Sequence, residues 1–127
     1  ALGGAETHSE RSGVTHFVRP SEAECLKSAR ELLSYLPSNN LDSAPRSDSQ
    51  DPADRACSAI EKLLPDSPNK PYDMLGIIRD VVDDGQFFEV HAGYAKNIVV
   101  GFARLAGKTV GVVGNQPNHL AGCLDID

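Results

Sequence analysis

The sequence predicts an α/β fold. Two stretches, residues 22–36 and 73–82, carry apolar residues at helical spacing. Three more, residues 87–90, 97–105 and 108–114, are rich in β-branched and aromatic residues, which is typical of strands. A chain of 127 residues is long enough to bury one modest core, so these helices and strands are expected to pack in layers.

The first region, residues 1–37, is predicted to hold a short strand followed by a helix. The β-branched run Val14–Val18 favours the strand. Ser21 and Glu24 have the spacing of a capping box, in which a hydroxyl and a carboxylate satisfy free N–H groups at a helix start. Apolar residues every three or four positions then predict a helix over Glu22–Leu36, which the following proline ends.

The second region, residues 38–70, is rich in Ser, Asn, Asp and Pro and is predicted to lie over the surface. A short helical patch, Ala59–Leu64, is expected to dock on a neighbouring element. A loop this long is unusual inside one compact domain. The region is therefore interpreted as an interdomain linker.

The third region, residues 71–127, has the clearest pattern. Asp73 is expected to cap its helix, and Gly85 to end it. The short connection Ala106–Gly107 predicts a β-hairpin between the last two strands. The first of these strands is apolar on both faces, which indicates a place in the middle of a layered α/β body.

Composition and charge exclude several classes of function. The 18 Asp and Glu residues outnumber the 12 Lys and Arg residues, giving a net charge of −6, which argues against a nucleic-acid partner. Three widely spaced cysteines form no CxxC pair and fit a reducing cytoplasm or mitochondrial matrix. No apolar run approaches the roughly 20 residues that cross a bilayer. Because the sequence begins without Met, it is expected to be an internal segment of a longer protein.

Several polar residues are candidates for chemistry, each with a plainer alternative. His8, His16 and Cys25 could bind a metal ion, but nothing in their spacing enforces tetrahedral geometry, so surface histidines are the preferred interpretation and no metal site is predicted. His91 and His119 could act as acids or bases near neutral pH, or could simply be solvated.

The adjacent carboxylates Asp83 and Asp84 could form an acid–base pair. Neighbouring residues on a helix point about 100° apart, so a solvated helix end is the preferred interpretation. Gly111, Gly114 and Gly122 mark the end of the last strand, where a ligand could approach the backbone or the chain could simply turn. Their spacing is not that of a phosphate-binding loop.

Several stretches resemble carboxyltransferase β subunits of biotin-dependent acyl-CoA carboxylases, most closely the propionyl-CoA carboxylase type. The resemblance covers nearly the whole chain and is weakest over residues 42–69. The stretches that carry it are Leu2–Ala5, Ser12–His16, Leu32–Pro37, Tyr72–Met74, Tyr94–Arg104, Gly107–Pro117 and Gly122–Ile126.

This resemblance implies a crotonase-like fold of two domains. Residues 1–37 would end the N-terminal domain, 38–70 would link the domains, and 71–127 would begin the C-terminal domain. The subunit would form a homo-oligomer, with its active site between the N-domain of one copy and the C-domain of another. It would work with a biotin carboxylase and a biotin carrier in the bacterial cytoplasm or the mitochondrial matrix.

The implied reaction moves carboxylate from carboxybiotin to the α-carbon of an acyl-CoA. The expected acyl-CoA is propionyl-CoA, which gives methylmalonyl-CoA. Backbone N–H groups at helix starts would stabilise the two oxyanions, without a metal ion. The glycine loops that supply these groups are expected outside residues 1–127, so no catalytic residue is assigned and the segment is expected to be inactive alone. Residues expected to line the substrate or biotin site are Gly3, Gly4, Asn115, Gln116 and Pro117.

Two other functions stay open. A decarboxylase α subunit would run the transfer backwards from a malonyl-type thioester. A scaffold module would bind partners without catalysis. In any of these cases, the hairpin over Asn97–Gly114 is expected to leave unpaired edges and an uncovered apolar face, and the isolated chain is expected to self-associate.

Overall fold

The computed structural model describes residues 3–126, which form a three-stranded sheet with helices on both faces. Two short 3₁₀ turns, Asp83–Gly85 and Leu120–Gly122, accompany these elements. In chain order the helices and strands are α1 (Ala5–Glu10), α2 (Glu22–Leu33), α3 (Ile60–Leu63), α4 (Met74–Val81), β1 (Phe87–Val90), β2 (Ile98–Leu105) and β3 (Lys108–Asn115).

The sheet is antiparallel, with strand order β1–β2–β3. In its hairpin, Leu105 faces Lys108 and Ile98 faces Asn115. Ala106 and Gly107 both have positive φ, 50° and 76°, as the two central residues of a type I′ turn require. The predicted hairpin is therefore confirmed, and so is the strand predicted over residues 87–90.

The main core lies between the sheet and α4. It joins Ile78 of α4 and Val82, the residue after the helix, to Val99 and Ala103 of β2. These four side chains are 6%, 2%, 3% and 0% exposed, respectively. The larger partly buried side chains around them come from α4, β1 and β3. These are Met74, Leu75, Phe87, Val110 and Val112.

The opposite face of the sheet is partly covered by the end of α2 and the turn that follows it. The Tyr35 ring stacks on Phe88 and on Phe102, with 5.8 Å between ring centroids in each pair. The Arg104 guanidinium lies 4.1 Å from the Tyr35 ring centroid and donates to the Ser34 carbonyl oxygen at 3.0 Å. The strand β2 is thus the middle strand of the sheet. It is covered by α4 on one face and only partly covered on the other, where the sequence predicts cover on both faces.

The first predicted strand is wrong. Residues 14–18 form no strand, although the Phe17 ring packs against Phe88 of β1 with 5.0 Å between centroids. The His16 carbonyl accepts one hydrogen bond from the His91 N–H at 3.1 Å, and one such bond does not make a ladder.

The helix predicted over residues 22–36 begins where expected but ends at Leu33. The Ser21 hydroxyl accepts from the Glu24 N–H at 3.3 Å, which confirms the N-terminal cap. At the other end, Tyr35 and Leu36 donate to carbonyls three residues earlier, at 3.0 and 3.2 Å. The last turn is therefore wound more tightly than an α-helix.

The helix α4 follows its prediction at its start and differs at its end. Asp73 caps it, since its carboxylate accepts from the Leu75 N–H at 2.9 Å. The helix stops at Val81, and Val82 is extended and buried in the core. Gly85, with φ 65°, therefore ends the following 3₁₀ turn rather than the helix.

The middle region, residues 38–70, lies along the surface of the α4 and hairpin unit. The Arg55 guanidinium donates to the Asp80 carbonyl at 2.8 Å. The Asp80 carboxylate in turn accepts from the N–H groups of Ala59 and Ile60, at 3.0 and 3.2 Å, at the start of α3. This docks the predicted helical patch, which is shorter than expected. Its role as an interdomain linker stays a prediction.

Candidate functional site

The end of β3 is built around the buried side chain of Gln116, which is 6% exposed. Its Nε2 donates to the Asp73 carboxylate at 2.7 Å, and its Oε1 accepts from the Met74 N–H at 3.1 Å. Its backbone N–H donates to the Asn97 carbonyl at 2.8 Å. Gln116 thus locks the strand end to the start of α4, and its amide is directed to the protein rather than to solvent.

A tight turn returns the chain to the same strand end. Leu120, Ala121 and Gly122 have positive φ values of 48°, 52° and 72°. The Asn115 side chain donates to the Gly122 carbonyl at 2.6 Å. Left-handed backbone at two residues other than glycine is strained and persists only where its surroundings hold it. The hydrogen bond from the Asn115 amide helps to stabilise this strained turn.

Pro117 lines an open cavity of about 550 Å³. A separate groove of about 740 Å³ lies on the open face of the sheet. The 550 Å³ cavity is open to solvent, and Lys70 and Tyr72 also line it. An ammonium, a phenol and proline rings can together hold a ligand that is part polar and part apolar.

The other predicted lining residues, Gly3 and Gly4, lie at the start of α1. Gly3 has φ 80°, and a Cβ added to it would lie 2.7 Å from Nε2 of His8. A Cβ on Gly4 would meet nothing within 4 Å, so a ligand could approach its backbone. These glycines are held by their own short helix, whereas residues 115–117 are held by α4 and the turn at residues 120–122.

The strand-end glycines have different surroundings. A Cβ on Gly114 would lie 3.1 Å from Cγ of Met74, so this glycine allows α4 to approach β3 closely. Gly122 serves the left-handed turn. Gly111 has open space beside it and lines the groove on the open face of the sheet.

The histidines considered above as metal ligands and set aside have other contacts. Nδ1 of His8 lies 3.2 Å from the Ser12 hydroxyl, and His16 stacks on His91 with 4.1 Å between ring centroids. Within residues 3–126, no three side chains of His, Cys, Asp or Glu gather to hold a metal ion. His119 is exposed and lines a cavity of about 280 Å³ with Glu10, Lys96 and Asp125 among its neighbours.

The interpretation of Asp83 as a solvated helix end is wrong. Its two carboxylate oxygens accept from the N–H groups of Ala106 and Gly107, at 2.9 and 2.7 Å. Asp83 therefore clamps the hairpin turn. Asp84 is exposed, and its N–H donates to the Asp51 carboxylate at 3.0 Å.

Two polar residues near the strand end escaped the sequence analysis. Asn97 is 4% exposed, and its side chain donates to the Cys123 carbonyl at 2.8 Å. Burial raises the pKa of Glu89, an effect opposed by Arg79 and reinforced by Asp73. Neither residue belongs to a recognisable motif, and their roles depend on contacts between segments that are distant in the sequence.

Similarity to known proteins defines the class to which the chain belongs. Residues 1–127 match the family model described as the carboxyl transferase domain, and the chain belongs to this family. It is 49% identical over 126 residues to the propionyl-CoA carboxylase carboxyltransferase subunit of Haloferax mediterranei. It is 47% identical over 126 residues to the methylmalonyl-CoA decarboxylase subunit alpha of Veillonella parvula. Each match covers 99% of the chain, and the chain spans about a quarter of each relative, 24% and 25% respectively.

Solved structures confirm the crotonase-like fold. A structure of transcarboxylase 12S with hydrolysed methylmalonyl-coenzyme A has a TM-score of 0.92 and 41% identity, covering 98% of this chain and 25% of its own. A single-chain, multi-domain long-chain acyl-CoA carboxylase has a TM-score of 0.82 and 26% identity, covering 98% of this chain and 12% of its own. In the part of the chain that the structure describes, no helix is long and apolar enough to span a bilayer.

Proposed function

We propose that the chain is a segment of a carboxyltransferase subunit that moves carboxylate from carboxybiotin to the α-carbon of propionyl-CoA, giving methylmalonyl-CoA. The observation that carries this proposal is the 49% identity to a propionyl-CoA carboxylase carboxyltransferase subunit over 99% of the chain. In the reaction, the bond from carboxylate to the biotin ring nitrogen breaks as a carbon–carbon bond forms. The proton that leaves the α-carbon is balanced by the N–H of the released biotin.

We further propose that residues 1–37 and 71–127 belong to two domains of that subunit, joined by residues 38–70. The docking of residues 55–63 on α4 supports this assignment, because a linker held to one domain fixes where the chain crosses to the next. The subunit would form a homo-oligomer and receive biotin from a carrier, in the bacterial cytoplasm or the mitochondrial matrix.

Within this segment, we propose that Asn115, Gln116 and Pro117 line the substrate or biotin site. The cavity beside Pro117, with Lys70 and Tyr72 on its wall, supports this, since its mixed lining fits a ureido ring or a thioester chain. Asn115 and Gln116 would act by holding the wall in place, as their hydrogen bonds indicate.

The same proposal extends to Gly3 and Gly4, where the open space beside Gly4 supports access to the backbone. None of these residues supplies an acid, a base or a nucleophile to the transfer. The segment alone is therefore expected to be inactive.

A substitution in the full-length subunit tests the cavity. Lys70→Ala is expected to raise the KM for acyl-CoA or for biotin by about threefold to tenfold, the loss of one polar contact. The matched control is Lys62→Ala, an exposed lysine on α3, which should leave both KM values unchanged. If both KM values are unchanged in Lys70→Ala, the cavity is not part of the substrate or biotin site.

The second candidate function is decarboxylation of a malonyl-type thioester, because the identity to a methylmalonyl-CoA decarboxylase α subunit is almost the same, 47%. Carboxyl transfer is reversible, so the full-length subunit should use both propionyl-CoA with carboxybiotin and methylmalonyl-CoA with free biotin. The partner decides between the two functions: an ATP-dependent biotin carboxylase supports carboxylation, and a membrane decarboxylase subunit supports decarboxylation.

The isolated 127-residue chain is measured alongside. Activity in the full subunit with none in the chain supports the proposal. If neither the full subunit nor the isolated chain transfers carboxylate, but a biotin carrier still binds, the scaffold function is supported instead.

A further inference from the structure

The loop after β1 holds the segment before α2 through a pair of stacked histidines. The rings of His16 and His91 lie 4.1 Å apart between centroids, with 21° between their planes. The His91 N–H also donates to the His16 carbonyl at 3.1 Å. This contact joins two parts of the chain that the sequence separates by most of its length.

The pair is held in place from the side. Tyr94 packs edge-on against His91 with 6.1 Å between ring centroids. Gly13, with φ 63°, lies against the Tyr94 ring so closely that an added Cβ would be 2.7 Å from it. Segment 13–16 and loop 91–94 therefore fit together as one contact, which we call the histidine clasp.

The interior of the clasp suits a neutral ring. Within residues 3–126, Nε2 of His91 is buried without a hydrogen-bond partner, and a protonated nitrogen there would carry a buried, unpaired N–H. His16, which lies at the surface, would add repulsion if both rings were charged. Around the clasp the titratable groups are His16 and Tyr94, and Glu10 lies nearby against Gly93.

We propose that the histidine clasp is a pH-sensitive latch, which holds residues 13–18 against the end of β1 when the His91 ring is neutral and releases them when that ring is protonated. Burial lowers the pKa of His91, as does His16, while a hydrogen bond to the Gly13 backbone acts in the opposite direction. The unfolded chain therefore binds this proton more readily than the folded chain. Stability from the clasp is full above the ordinary value of 6.5 and is lost as the pH falls below it.

Amide hydrogen exchange of the 127-residue chain tests the latch. The reporter is the His91 N–H, which donates to the His16 carbonyl at 3.1 Å. After correction for intrinsic exchange, its protection should fall by up to about tenfold between about pH 7.5 and about pH 5.5, the limit for one group one unit below its ordinary pKa. Protection of β2 and β3 should stay constant. Equal loss across the sheet, or no loss at residue 91, would overturn the proposal.

Three variants complete the test. His91 has φ 57°, which asparagine tolerates, so His91→Asn should keep the backbone conformation and abolish the pH response. His16→Gln should weaken the response. His8→Gln, which removes a histidine outside the clasp, should leave the response intact. If His91→Asn retains the full response, or if His8→Gln abolishes it, the latch is not at this pair.

Discussion

At the scale of single residues, the hairpin turn contains an avoidable strain. Ala106 has φ 50° although it carries a Cβ, and left-handed backbone costs such a residue roughly 1–2 kcal/mol. Asparagine tolerates this conformation and is favoured before glycine in type I′ turns. The turn is therefore a place where a substitution can stabilise the fold.

Ala106→Asn is expected to raise the free energy of unfolding by about 1 kcal/mol, measured by urea denaturation. The control is Ala56→Asn, an exposed alanine outside the positive-φ residues, which should change stability by less than about 0.5 kcal/mol. Equal effects in the two variants would show that the turn is not strained.

A second prediction at this scale concerns Glu89. Burial raises its pKa, so its contribution to stability is full below the ordinary value of 4.5 and is lost as the pH rises through the raised pKa. Glu89→Gln is therefore expected to stabilise the chain near neutral pH and to have less effect near pH 4. Screening by water limits the gain to under about 1 kcal/mol.

Thermal or urea unfolding at the two pH values measures this difference, with the exposed Glu61→Gln as control. A Glu89→Gln chain that is less stable at neutral pH would show that attraction to Arg79 outweighs burial.

At the scale of elements, one carboxylate joins the end of α4 to the hairpin. Asp83 accepts from both N–H groups of the turn at residues 106–107, and such charge-assisted bonds are stronger than neutral ones. The turn is also held from the other side, because the Ser47 N–H donates to the Gly107 carbonyl at 2.9 Å. The middle region and α4 thus meet at the same turn.

Asp83→Asn should lower the free energy of unfolding by about 1–2 kcal/mol, since one turn N–H loses its partner and the other a charged one. Asp84→Asn is the matched control, because it changes the neighbouring exposed carboxylate at a position with φ 53° that asparagine tolerates. Urea denaturation should show less than about 0.5 kcal/mol for this control. Losses of the same size would mean that net charge, and not the clamp, is responsible.

At the scale of the whole molecule, one face of the sheet remains open. A groove of about 740 Å³ runs along it, lined by Phe17, Leu36, Val100, Phe102 and Val113 among others. Val113 is 72% exposed, and β3 has a free edge in the described sheet. Open apolar faces and free strand edges promote association.

The isolated chain is therefore expected to self-associate, which light scattering over a range of concentrations measures. Val113→Lys should shift it towards the monomer, because a charge then lies in the groove. Leu41→Lys changes a residue that is 90% exposed away from the groove and should not. A folded monomer at every concentration would contradict the prediction.

Local sequence signals were sufficient for much of this fold. The capping serine, the helix cap Asp73 and the Ala106–Gly107 turn each act through neighbours a few residues away, and the structure has all three. Family membership was also evident from the sequence, because the matching stretches run through nearly the whole chain.

Only the tertiary structure decided the contacts between distant segments. In the folded chain, Asp83 accepts hydrogen bonds from the hairpin turn, Gln116 is buried against the start of α4, and His16 stacks on His91. Residues 14–18 form no strand there. Hydrogen bonds and stacking of this kind depend on which segments meet in space. A β-branched run or a pair of carboxylates does not by itself indicate which distant segment it will contact.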